Sequence, residues 1–249
     1  MSRLDFTSHR LCLDAPLSRG AEAELSREQA NYLLNVLRLG EGARLLVFNG
    51  RDGEWRAVLS ARGKKSAVLQ IEEQARPQED LPDLDYIFAP LKHARLDYMA
   101  QKAVEMGARR LRPALTRRTQ ASRVNLARMR ANVVEAAEQC GLLALAEVLP
   151  EERLETILRD WPDDRLLIFC DEAARIADPV AALRQAGADF SRFAVLIGPE
   201  GGFDDSERAQ LARIAPVARI SLGPRVLRAD TAAVAALALV QAALGDWRG

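Results

Sequence analysis

The sequence predicts an α/β protein in two parts: a small N-terminal β-barrel, then a larger domain on a mostly parallel sheet. Three observations carry this prediction. Between residues 84 and 249, apolar strand-like runs alternate with helical stretches, as in a parallel sheet with helices on its faces. Between residues 44 and 71, three short extended runs are separated only by turn-rich segments, the pattern of a small barrel. Residues 74–83, Gln-Ala-Arg-Pro-Gln-Glu-Asp-Leu-Pro-Asp, combine two prolines with an excess of acids and no apolar periodicity, which marks a linker. The expected boundaries are therefore 1–73, 74–83 and 84–249.

Each element has a local reason. Ser26 can cap a helix running through Arg38, with Tyr32, Leu33, Val36 and Leu37 on one stripe. Strands follow at Arg44–Phe48, Glu54–Ser60 and Ala67–Ile71, joined by turns at 49–53 and 61–65. Downstream, a strand at 86–89 precedes a helix from Arg95 to Met106, which Gly107 ends. Leu111–Leu115 reads as a strand, and Ala127–Cys140 as a helix closed by Gly141. The pairs Arg165–Cys170 with Asp178–Ala186, and Phe193–Ile197 with Ser206–Ile214, repeat strand then helix. Arg219–Leu222 is the last strand and Thr231–Leu244 the last helix.

Composition removes several classes. At 249 residues the chain fits one large domain or two modest ones, and 49% hydrophobic with 28% charged residues is ordinary for a globular protein. The longest apolar stretch, Thr231–Leu244, falls short of the roughly 20 residues that span a bilayer. The first six residues lack the apolar core of a signal peptide, which fits a cytoplasmic protein. Three scattered cysteines (Cys12, Cys140, Cys170) argue against a disulfide framework, and two histidines (His9, His93) against a metal centre.

The net charge of zero hides an uneven distribution. Residues 84–135 hold 11 basic and 4 acidic side chains, and Arg109–Arg130 holds eight Arg and no acid. Such a face steers anionic partners, and the planar guanidinium suits phosphate. An ordinary solvated surface remains an equal reading, because 31 of the 35 basic residues throughout the chain are Arg.

Ligands of open parallel sheets bind beyond the carboxyl ends of the strands. Two strand–loop junctions there share an unusual form: Leu196-Ile-Gly-Pro-Glu-Gly-Gly-Phe203, and Ser221-Leu-Gly-Pro-Arg-Val-Leu-Arg-Ala-Asp-Thr231. Glycine lets a ligand approach the backbone, and proline stiffens the turn. There is no phosphate-binding Gly-x-x-x-x-Gly-Lys-Ser/Thr loop, no dinucleotide fingerprint and no nucleophile elbow.

Those two segments closely resemble the RsmE family of small-subunit (16S) ribosomal RNA uracil-N3-methyltransferases, in the SPOUT superfamily. Weaker similarities extend along the chain: Leu34–Gly42, Lys92, Gln101–Gly107, Thr116–Thr119 and Glu138–Gly141. The resemblance implies an N-terminal PUA-like barrel that binds RNA, a trefoil-knot α/β methyltransferase domain, S-adenosylmethionine as cofactor without a metal, and a homodimer. Asn31, Leu142 and Asp230 depart from the family pattern, where His, Arg and Glu are expected.

The acceptor sets the chemistry. Uracil N3 carries a weakly acidic proton, and its loss leaves negative charge shared with the ring oxygens. An arginine favours that anion, and a carboxylate takes the proton or orients the arginine. Arg228 and Asp230 are the expected catalytic pair, with Arg225 and Glu200 next. The competing reading has Asp230 capping the last helix and Arg228 on a phosphate. The cofactor is expected against Leu196, Ile197, Gly198, Pro199, Gly201, Gly202, Leu222, Gly223, Val226 and Leu227. RNA is expected on Arg38, Lys92, Arg117, Arg118 and Arg123. Lys102 and Glu105, three apart, read as a surface ion pair, and Cys140 and Cys170 as buried thiols rather than nucleophiles. Methylation of another RNA or base atom, or RNA binding without catalysis, stays open at this point.

Overall fold

The computed structural model describes residues 5, 7–63, 66–92, 94–120, 123–171, 173–174 and 178–248. Of the positions used above, residues 1–4 and 6, Lys64, Lys65 and His93 lie outside these. The chain forms two compact units, residues 1–80 with 137–145, and residues 81–136 with 146–249.

In the first unit, β1 (Arg10–Cys12), β2 (Glu22–Glu24), α1 (Arg27–Asn31), β3 (Arg44–Phe48), β4 (Glu54–Gly63) and β5 (Ser66–Arg76) build a sheet of order β1-β3-β4-β5-β2. β1 joins β3 in parallel; the other pairs are antiparallel. Period-two alternation aims Leu45 and Val47, Ala57 and Leu59, and Ala67, Leu69 and Ile71 into one core with Leu11, Ala23 and Leu33.

Two expectations change here. The helix after Ser26 does start on a capping box with Gln29, but after Asn31 it widens into a π-turn over Tyr32–Val36. The wider turn breaks the 3.6-residue stripe: Leu33 is buried, while Tyr32 and Val36 are 41% and 61% exposed. The chain then reverses at Arg38, whose φ is 56°. The strand expected to stop near Ile71 runs on to Arg76, so the segment without regular structure before the next strand narrows to 77–82. The extension stays paired with β4, with Glu54 opposite Arg76, and Arg76 donates twice to the buried Glu54 carboxylate, at 2.8 and 3.0 Å, while Arg10 donates to it at 2.9 Å.

The second unit carries β6 (Asp83–Phe88), α2 (Ala94–Glu105), β7 (Arg110–Leu115), α3 (Leu126–Cys140, whose last turn belongs to the first unit), β8 (Glu147–Val148), β9 (Glu152–Arg153), α4 (Leu154–Arg159), β10 (Arg165–Cys170), α5 (Pro179–Ala186), β11 (Arg192–Ile197), α6 (Asp205–Leu211), β12 (Val217–Ile220) and α7 (Ala229–Ala243). All its strand pairs are parallel, in the order β12-β10-β11-β6-β7-β8, with β9 also on β7. One face packs Leu167, Phe169, Ala194 and Leu196 against Leu154, Ile157 and Leu158 of α4 and Leu211 of α6. On α7, Ala233, Ala236, Leu237 and Val240 are buried, and the helix packs against α2, α5 and β11. Among the described residues, no helix is long and apolar enough to cross a membrane.

Candidate functional site

β10 lies between β12 and β11, so three neighbouring strands end together at Ile220, Cys170 and Ile197. The loops that follow enclose a cavity of about 300 Å³. In the first, the Gly202 amide donates to the Pro199 carbonyl at 2.8 Å, closing a four-residue turn with Gly202 at φ 69°. The loop then folds back on Phe203, which is buried and packs edge-on against Phe169 at 5.2 Å between centroids. A side chain at Gly198 has no room: its Cβ would sit 2.6 Å from the Phe203 ring. In the second loop Gly223 takes φ 100°, a conformation that L side chains disfavour.

Nine of the ten residues expected at the cofactor line this cavity: Ile197, Gly198, Pro199, Gly201, Gly202, Leu222, Gly223, Val226 and Leu227. Leu196 does not. Strand alternation turns its side chain to the opposite face, into the core with Phe203 and Leu211. Cys170, Asp171, Phe203, Ser221, Ala229 and Ala232 also line it. Asp171, with no side-chain exposure, pairs with Arg208 and with Arg219 (2.5 Å), and accepts the Ala173 amide at 3.0 Å. Burial pushes its carboxyl up, but the bonds from Arg219, Ala173 and Arg208 outweigh that and hold it below the usual range. Burial pushes the Cys170 thiol up to about 12, so it stays neutral at ordinary pH.

Glu200 and Arg225 also stand on the cavity wall. Arg228 is the exposed N-cap residue of α7, without a capping hydrogen bond from its side chain. Asp230 follows in the first turn, where its Oδ1 accepts the Thr231 amide at 2.8 Å. Its other oxygen does not meet Arg228. It accepts from Nε of Arg95 at 3.0 Å, and the same guanidinium donates through Nη1 to Glu200. The Arg95 hydrogen bond, acting against partial burial, holds the Asp230 carboxyl below its ordinary value. Both carboxylates also raise the Arg95 pKa, so the guanidinium is a permanent cation. Arg95 was missed in the sequence, where nothing links α2 to residues 105 and 135 positions away.

Arg95 lines a second, smaller notch of about 80 Å³ with Pro90, Leu91, Lys92, Arg118, Gln120, Pro199 and Glu200. Pro199 and Glu200 are common to the two cavities. Arg118 grips the glycine turn from this side, donating to the Gly201 carbonyl at 2.6 Å. Arg117 faces Asp204 at 3.3 Å and Glu155 at 3.7 Å. Lys92 and Arg123 line a groove of about 520 Å³ beside α2 and α3. Arg38 is exposed in the first unit. Lys102 and Glu105 pair at 2.6 Å. Among the described residues, no group of His, Cys, Asp and Glu is placed to hold a metal.

Residues 78–241 match the family model of an RNA methyltransferase domain, and residues 25–72 that of an RNA methyltransferase PUA domain. A protein named ribosomal RNA small subunit methyltransferase E from Rickettsia conorii is 28% identical, over 94% of this chain and 95% of its own length. Its namesake from Synechocystis is 33% identical, over 90% of this chain and 74% of its own. The crystal structure of the enzyme of that name from Neisseria gonorrhoeae, bound to S-adenosyl methionine, superposes with a TM-score of 0.81 at 27% identity, covering 94% of this chain and 97% of that one. The fold is therefore that of the SPOUT methyltransferases with a PUA-like N-terminal domain, and the chain belongs to the RsmE family of ribosomal RNA small-subunit methyltransferases.

Proposed function

We propose that the protein methylates N3 of one uridine in small-subunit (16S) ribosomal RNA, using S-adenosylmethionine. The observation that carries this reading is the cavity between two glycine-proline loops, with the Arg95–Asp230–Glu200 cluster beside it.

The cavity fits the cofactor. Its volume is at the low end of the roughly 300–1,000 Å³ of small-molecule sites. Ile197, Leu222 and Leu227 offer apolar walls, and the glycine turns expose backbone polar groups where side chains would block approach. When bound, S-adenosylmethionine supplies a methyl group on a positively charged sulfur, which keeps the bonding electron pair as the methyl joins N3. The protein then has two tasks: to hold the base in line with that methyl, and to favour the N3 anion once its proton has passed to solvent base. Arg225 stands on the wall of the larger cavity, and Arg95 lines the smaller one with Lys92 and Arg118. Asp230 is a poor proton acceptor, because Arg95 lowers its basicity. It acts by holding Arg95.

The same reading gives residues 1–73 an RNA-binding role through Arg38, and assigns Lys92, Arg117, Arg118 and Arg123 to contacts with the RNA. It includes a homodimer and a cytoplasmic setting, where ribosomal subunits are assembled. The test is to incubate the enzyme with small subunits from a strain that lacks it, then analyse nucleosides by mass spectrometry. One N3-methyluridine per subunit is expected; no methyl gain, or a methyl on another atom, overturns the reading.

A further inference from the structure

We infer that the notch between Lys92, Arg95, Arg118 and Gln120 is the subsite for the target base, and that Arg95 is the catalytic cation that stabilises the uracil N3 anion. Asp230 and Glu200 are then its positioning residues. The inference rests on the uridine-N3 reading and deepens it.

Four observations converge. The notch opens beside the cofactor cavity and shares Pro199 and Glu200 with it, so a base seated there lies next to the methyl donor's site. It gathers three cations, Lys92, Arg95 and Arg118, against Glu200 and the adjoining Asp230, which leaves an excess of positive charge. Gln120 adds an amide able both to donate and to accept, which the uracil edge requires because it presents carbonyl oxygens beside N3–H. Finally, Nη2 of Arg95 is buried without a hydrogen-bond partner among the described residues, although Nε and Nη1 of the same group are both engaged. A guanidinium clamped on two sides with a donor to spare is pre-organised for one more oxygen, and an unmet buried donor is costly until it finds one. Arg95 is still 32% exposed at its side chain, and Glu200 is 48% exposed on its turn, so an incoming base reaches the edge of the group and meets the buried Nη2 by displacing the atoms that cover it.

The charge arithmetic has a direction. As N3 loses its proton to solvent base, negative charge spreads onto the flanking oxygens, and a cation within hydrogen-bond reach lowers the base's pKa by roughly 1–3 units. The reaction should then rise with pH and level off where the bound uracil is fully ionised. Removing Arg95 moves that plateau to higher pH.

The experiment is single-turnover methylation by R95Q and R95K across a pH series, with cofactor affinity measured by calorimetry. R95Q should lose roughly 10²–10³-fold at neutral pH, as for removal of one oxyanion donor. Its plateau should shift upward by roughly 1–2 pH units, and R95K should recover part of both. S-adenosylmethionine affinity should fall far less than the rate, because Arg95 does not line the larger cavity and touches its wall only through Glu200. Substrate RNA carrying 5-fluorouridine at the target, whose N3 is more acidic, should narrow the gap between wild type and either variant. An R95Q rate reduced equally at every pH, with weaker RNA binding and a shallower salt dependence, would make Arg95 a phosphate clamp and overturn the inference. So would an R95K profile that neither shifts nor responds to fluorouridine, which covers the case of R95Q failing to fold. A wild-type enzyme that methylates a different atom defeats the uridine-N3 reading first, and this inference with it.

Discussion

Arg95 and Asp230 meet through Nε and Oδ2 at 3.0 Å, tying the first turn of α2 to the first turn of α7 across 135 positions of sequence. The bond gives Asp230 a role other than helix capping or proton acceptance. Asp230 thus lies apart from Arg228, the partner expected from the sequence, and on the reading proposed above the catalytic cation stands on a different helix.

Substitution at Asp230 separates these roles. A general base contributes about 10²–10⁴-fold, and its amide cannot replace it. An orienting carboxylate can be replaced in part, because the amide oxygen still accepts from Nε. D230N should therefore slow single-turnover transfer by only about 10-fold, equivalent to ~1.4 kcal/mol, and D230A by more. Cofactor affinity should hold in both. Equal, thousand-fold losses in the two variants would restore Asp230 as the base.

The glycine turn gives the second prediction. A methyl at position 198 would lie 2.6 Å from Cε2 and 2.9 Å from Cζ of Phe203, a buried ring already fixed by Phe169. G198A should distort the loop at a cost of about 1–3 kcal/mol, read as a weakening of S-adenosylmethionine binding by 5- to 100-fold or so in calorimetry. Gly202→Val should abolish binding, since a β-branched residue is strained at φ 69°. Unchanged affinity in either variant contradicts the assignment of this cavity to the cofactor.

How much of this was legible beforehand depends on the range of the interaction involved. The two loops were visible because Gly-Pro after a buried strand is a local signal, and nine of the ten residues expected from it line the cavity. Leu196 faces the core instead, as its period-two alternation with Ile197 requires. Cys170 and Asp171 needed the sheet order, since only the position of β10 between β11 and β12 brings them to the cavity. Arg95 needed the packing of α2 against α7, which no pattern within either helix encodes. In the first unit, β1 and β2 escaped notice because three-residue strands carry no periodicity, and the return of residues 137–145 to that unit is a purely tertiary event.

The arginines expected on RNA are not equivalent, and salt dependence should separate them. Arg118 holds the Gly201 carbonyl at 2.6 Å, whereas Arg123 is exposed on the rim of the groove beside α2 and α3. R123E should reduce the slope of log affinity against log salt by about 0.7–0.9 per lost phosphate contact and leave cofactor binding alone. R118E should flatten the slope too, and also weaken S-adenosylmethionine binding because it releases the glycine turn. Arg117 should contribute less to the slope than Arg123, since Asp204 and Glu155 already face it. A salt-independent RNA affinity would remove all three from the interface.

The last prediction concerns acid. Asp171 is a carboxylate without side-chain exposure, held between Arg208 and Arg219 at the end of β10. Its folded pKa lies below the ordinary value of 3.8, because the bonds from Arg219, Ala173 and Arg208 exceed the opposing effect of burial. A depressed folded pKa means that the unfolded chain takes up this proton first as pH falls. The group's stabilisation is therefore complete above about pH 5 and is lost progressively below about pH 4. D171N should cost about 3 kcal/mol near pH 7, the lower end for a broken buried pair, because Arg219 remains 47% exposed and resolvates readily. The penalty should shrink as the wild type loses its own charge at low pH, so the gap between the denaturant midpoints of the two proteins should narrow as pH falls below about 4. If the gap stays constant from pH 7 to pH 3, the destabilisation comes from altered packing at the cavity wall rather than from the ion pairs.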